Sequence, residues 1–140
     1  MEEFEFLEHT ADLGLRVKGK TSEDLFNNYA AVLFSLLTDY QPKEIISRKI
    51  ILEAQSLSEL LIDWLNELLS MFFADDFLPK EYSIKITDDK GGKILEAEIK
   101  GEEFDFESNP LKREIKAATY HEVKVEENDS EYVGEVIFDV

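Results

Sequence analysis

One segment constrains the fold of this chain more than any other. From Leu57 to Phe72 the residues Leu57, Leu60, Leu61, Trp64, Leu65, Leu68, Leu69 and Phe72 recur in steps of three and one. That spacing draws a broad apolar stripe down one side of an α-helix. Asp63, Asn66, Glu67 and Ser70 fall mainly on the opposite side. Ser56 followed by Glu59 forms a capping-box pattern that opens the helix, and Asp75-Asp76 with Pro79 close it. A stripe this wide must be covered by the rest of the chain, because tertiary packing supplies most of a helix's stability.

The covering surface reads mostly as β-structure. Residues 3–8 alternate, with Phe4 and Phe6 on one face, and residues 13–19 alternate through Leu13, Leu15 and Val17. A first helix follows, with Thr21 or Ser22 as N-cap and Glu23 and Asp24 in its first turn. Leu25, Phe26, Tyr29, Val32, Leu33, Leu36 and Leu37 carry its apolar face, which fades at Thr38-Asp39 before Pro42. Residues 44–54 are rich in β-branched residues and predict a strand. Residues 81–88 and 93–100 flank the turn signal Asp88-Asp89-Lys90-Gly91-Gly92. Residues 101–114 predict an irregular loop carrying Asn109-Pro110, and residues 115–126 and 131–139 a second hairpin, with an irregularity expected at Gly134. The order ββαβαββββ predicts an α+β fold, with two amphipathic helices packed on largely antiparallel sheet. Without repeats or linker-like stretches, residues 1–140 read as a single domain.

Composition removes several function classes. There is no cysteine, which excludes disulfides, thiolate metal sites and cysteine nucleophiles. No apolar run is long enough for a transmembrane helix, and Met1-Glu2-Glu3-Phe4 does not look like a signal peptide. A cytoplasmic location with no membrane association is expected. Fifteen basic residues stand against 32 acidic ones, a formal net charge of -17. Such a chain repels phosphate backbones, so no direct nucleic-acid binding is expected. It should attract basic protein surfaces and divalent cations, although acidity can also serve solubility alone.

No nucleophile elbow, phosphate loop, dinucleotide fingerprint or EF-hand loop is present. Histidine occurs only at His9 and His121, in no zinc-binding spacing. Each alone reads as structural, but the two could share a pocket if their β segments are neighbours in a sheet. His9 opens the polar break His9-Thr10-Ala11-Asp12 between the first two strands. An aspartate at such a turn ordinarily satisfies backbone N–H groups. At the other end, Asp139 and Val140 close the last apolar strand. If that strand runs beside the first, Asp12, Asp139 and the Val140 oxygen could converge on a hard cation, calcium or magnesium.

Taken together, these segments resemble the archease family. His9-Thr10-Ala11-Asp12 followed by Leu13-Gly14-Leu15 resembles its N-terminal signature, and Asp63-Trp64-Leu65-Asn66-Glu67-Leu68-Leu69 its second-helix signature. Lys116-Ala117-Ala118-Thr119-Tyr120-His121 resembles its penultimate-strand motif, with Ala118 where valine is more usual, and the chain ends in Asp139-Val140 as archeases do. The resemblance spans the full length. It implies a non-enzymatic protein cofactor of the tRNA-splicing RNA ligase, one that promotes guanylylation of the ligase and multiple turnover. An alternative it implies is a chaperone-like modulator of a tRNA cytosine methyltransferase or other RNA-modifying enzymes. It further implies a divalent-metal site, often calcium, at Asp12, Asp139 and the Val140 carbonyl. Lys116 is a candidate partner contact, or else a strand-edge lysine that discourages edge pairing. His9 and His121 are candidates for a supporting role or a partner contact, with a structural role as the alternative.

Overall fold

The computed structural model describes residues 3–8 and 12–140. The elements are β1 (Phe4–Leu7), β2 (Leu13–Gly19), α1 (Ser22–Leu37), β3 (Ile46–Ala54), α2 (Leu57–Asp75), β4 (Phe77–Asp89), β5 (Gly92–Glu103), β6 (Ala117–Glu127) and β7 (Tyr132–Asp139). This is the α+β order ββαβαββββ, and every strand pairing is antiparallel. The strands form two sheets, ordered β1-β2-β7-β6 and β3-β5-β4.

Both helices begin where the side chains require. Thr21 accepts a hydrogen bond from the Asp24 N–H at 3.0 Å, and Ser56 accepts one from the Glu59 N–H at 3.2 Å. The helices lie between the sheets, and each touches both: α1 meets β2, β7 and β4, while α2 meets β6, β3, β4 and β5. This arrangement explains why α2 is buried beyond its stripe. Ile62 and Met71, off the stripe, are buried along with Leu60, Leu61, Trp64, Leu65, Leu68, Leu69 and Phe72. The Trp64 indole N–H donates to the Phe26 carbonyl at 3.1 Å and ties the two helices together.

Two local expectations change. Pro79 does not merely end α2; it lies inside β4, which starts at Phe77. Asp76, in the left-handed region at φ 54°, ends the helix instead. Pro79 is tolerated because β4 is an edge strand and its register with β5 shifts between Pro79 and Glu81. The irregularity expected at Gly134 is also elsewhere. Gly134 pairs regularly with Val17 and Val125, and the register breaks in β6 between Thr119 and Lys124. There Glu122 adopts φ 55°. Gly134 serves close packing, since a Cβ at that position would stand 3.1 Å from Tyr29 Cε2.

Candidate functional site

The β2–β7 ladder brings the two ends of the chain together. Its register runs from Gly19 opposite Tyr132 to Leu13 opposite Phe138. Asp12 is the next residue on one strand and Asp139 the next on the other, so both stand at the same end of the sheet. The ladder holds this end firmly, because Leu15, Val17, Val136 and Phe138 are buried against the helices. Asp12 is half-buried, while Asp139 and Val140 are exposed.

β6 completes the tip from the other side of β7. Ala117 lies opposite Asp139, and the Lys116 N–H donates to the Asp139 carbonyl at 2.8 Å. The Lys116 ammonium is exposed, 3.6 Å from the Glu114 carboxylate. The segment before it forms one wall of a cleft of about 530 Å³ that also includes Phe73. Lys112 in that wall reaches Asp39 at 2.8 Å, and the Arg113 guanidinium lies 5.5 Å from the centre of the Phe6 ring. The sequence reading passes over Lys112 and Arg113. The signal that could have found them is a cluster of three cations, with Lys116, in five residues of a strongly acidic chain.

Of the remaining candidates, His9 lies outside the described residues. His121 sits on β6, exposed, with its Nε2 3.7 Å from the Glu122 carboxylate. β7 separates β6 from β2, and β1 lies beyond β2. The strands flanking the His9 segment are therefore not sheet neighbours of the strand carrying His121. A groove of about 480 Å³ nevertheless runs across β7, from Leu7 and Glu8 over Gly14 and Ile137 to Glu122 and Val123.

The candidate ligands carry only oxygen donors: two aspartate carboxylates and the backbone end of Val140. That chemistry fits a hard divalent cation. Among the described residues, no group of three or more His, Cys, Asp or Glu side chains is placed to hold a metal ion. Asp12 and Asp139 would supply too few side-chain ligands by themselves, so a metal held here would need backbone oxygen as well.

The model of the Archease protein family (MTH1598/TM1083) matches residues 4–140. The chain belongs to the archease family. Archeases are non-catalytic protein cofactors associated with tRNA processing, and this chain is one of them. It is similar to the protein archease of Methanosarcina barkeri, 34% identical over 142 residues that cover 99% of this chain and 96% of the relative. It is also similar to the protein archease of Methanopyrus kandleri, 36% identical over 140 residues, covering 98% and 99% of the two chains. The solution structure of protein 1598 from Methanobacterium thermoautotrophicum superposes with a TM-score of 0.86 at 30% identity, covering 100% of both chains. A crystal structure of an archease from Thermotoga maritima shares the fold, with a TM-score of 0.57 at 20% identity over 96% of this chain and 94% of that one. No helix among the described residues is long and apolar enough to cross a membrane.

Proposed function

We propose that this archease, acting as one domain in the cytoplasm, activates a tRNA-splicing RNA ligase, promoting its guanylylation and multiple turnover. Its tip would hold a divalent cation, calcium by preference, through the Asp12 and Asp139 carboxylates and the Val140 backbone oxygen. The observation that carries this reading is the β2–β7 register, which ends one residue short of both aspartates. When bound, the cation supplies a concentrated positive charge at the exposed end of the sheet.

The chain's own residues prepare that end. The buried ladder fixes the two strand ends beside each other, which supports a reading in which both carboxylates reach one cation. Lys116 stands beside Asp139 and can meet a phosphate or carboxylate of the ligase. The net charge of -17 favours a basic protein face over direct contact with RNA.

The test is a ligase turnover assay with folded Asp12→Ala and Asp139→Ala variants. Both should lose most of the stimulation. Wild-type stimulation by both would refute the metal-bearing tip. Stimulation that survives complete chelation of divalent ions in an otherwise metal-independent assay step would point instead to chaperone-like action.

A further inference from the structure

The polar side of α2 has a task that its apolar stripe does not explain. Asn66 holds a single residue of β6 by both of its backbone groups. The Ala118 N–H donates to Asn66 Oδ1 at 2.7 Å, and Asn66 Nδ2 donates to the Ala118 carbonyl at 3.0 Å. Three residues earlier on the same face, Asp63 accepts a hydrogen bond from the Tyr120 hydroxyl. β6 is an edge strand, so no strand on its outer side supplies partners. The carboxamide, with one donor arm and one acceptor side by side, supplies them at Ala118.

The position of this clamp matters because the β6–β7 ladder is broken. Three residues, Ala117 to Thr119, pair with Asp139 to Ile137, and four more, Lys124 to Glu127, pair with Glu135 to Tyr132. Between them the register shifts, and Glu122 takes a left-handed conformation. The short upper stretch therefore gains little alignment from the longer lower one. That upper stretch is the part that meets the tip: Ala117 faces Asp139, and the Lys116 N–H bonds the Asp139 carbonyl. Asn66 grips it at its middle residue.

We propose that Asn66 is the positioning residue of the tip. Through Ala118 it sets where Lys116 and the Asp139–Val140 end stand, and so helix α2 tunes the tip's affinity for a divalent cation. The inference rests on the reading of the tip as a metal site. Residues that orient a metal's ligands typically change affinity by about 10–100-fold when lost.

The experiment titrates calcium into the full chain by calorimetry and follows amide hydrogen exchange at Lys116. It compares Asn66→Ala with Ile99→Val, a mild core change in the other sheet. Asn66→Ala should weaken calcium binding at least about tenfold and speed exchange at Lys116. Ile99→Val should leave both near wild type. Unchanged calcium affinity together with unchanged Lys116 protection in folded Asn66→Ala would overturn the proposal. If Asn66→Ala does not fold, Asn66→Asp is read in the same way, since it keeps the acceptor for the Ala118 N–H and removes the donor to its carbonyl. If the wild type binds no calcium, the metal reading fails by itself. The clamp is then decided by Lys116 exchange alone, with faster exchange in the variant upholding it and unchanged exchange ending it.

Discussion

The centre of the molecule and its tip rest on opposite physical terms. At the centre, Trp64 and Tyr29 are fully buried, and each directs its polar hydrogen to a backbone carbonyl: the indole N–H to Phe26, the hydroxyl to Leu15. At the tip, Asp12 is half-buried and Asp139 and Val140 are exposed, with negative charge gathered at neighbouring strand ends. The centre lowers the free energy of folding through apolar burial with the polar hydrogens of Trp64 and Tyr29 both bonded. The tip, with Asp139 and Val140 exposed, contributes little of that kind. Substitutions at the centre should therefore act on stability first, and those at the tip on binding first.

The largest effect on stability should come from Trp64→Ala, which removes the indole shared between the helices. A loss of about 3–5 kcal/mol is expected, read from the midpoint of denaturant unfolding. Gly134→Ala comes next, at about 1–3 kcal/mol, because the added Cβ would meet the Tyr29 ring at 3.1 Å. Tyr29→Phe should follow at about 1–2 kcal/mol, since the Leu15 carbonyl loses its buried donor. At the tip the order reverses. Asp139→Ala should leave stability within about 0.5 kcal/mol of wild type while abolishing calcium binding in a calorimetric titration. A variant at Asp139 as unstable as Trp64→Ala would break the contrast between the two regions.

The smallest expected effect is a pH dependence between the two regions. The hydrogen bond to Asp63 is the main cause that pushes the Tyr120 hydroxyl from its ordinary value of 10.0 up to about 12. The folded value lies above the unfolded one, so the contribution to stability is fully present below pH 10 and is lost as pH rises through about 12. Thermal melts across that window should show a slightly shallower alkaline decline for Tyr120→Phe. A wild-type tyrosinate titration without a group displaced toward 12 would remove the Asp63–Tyr120 bond from this account.

Both helices were legible in the chain because each carries strong periodicity and a cap. Their burial was less so: Ile62 and Met71 lie off the stripe, and only a second sheet on the far side of the helices explains why they are covered. Pro79 reads locally as a stop, yet an edge strand accepts it because a missing N–H there removes no ladder bond. The break in β6 had no local signature at all. Glu122 carries no glycine-like signal, yet it takes a left-handed backbone within the register shift between Thr119 and Lys124. Among the site candidates, Asp12, Asp139 and Val140 were visible as residue types, and Lys116 as a motif position. Asn66 was visible only as part of a helix signature, without its task.

What the sequence by itself determined was the set of elements, their order and the chemistry available to them. Periodicity, capping residues and turn signals act within a few positions, so one chain suffices to read them. The absence of cysteine and the charge of -17 likewise bound the chemistry without any fold. Tertiary structure alone decided which distant residues meet. Asp12 and Asp139 stand at opposite ends of the chain, and they share one end of the sheet because Leu13 pairs with Phe138. Asn66 reaches Ala118 because α2 crosses an edge strand that lacks an outer neighbour. Both are consequences of strand register and helix placement, which are set by burial of the whole apolar core and by no local stretch of residues.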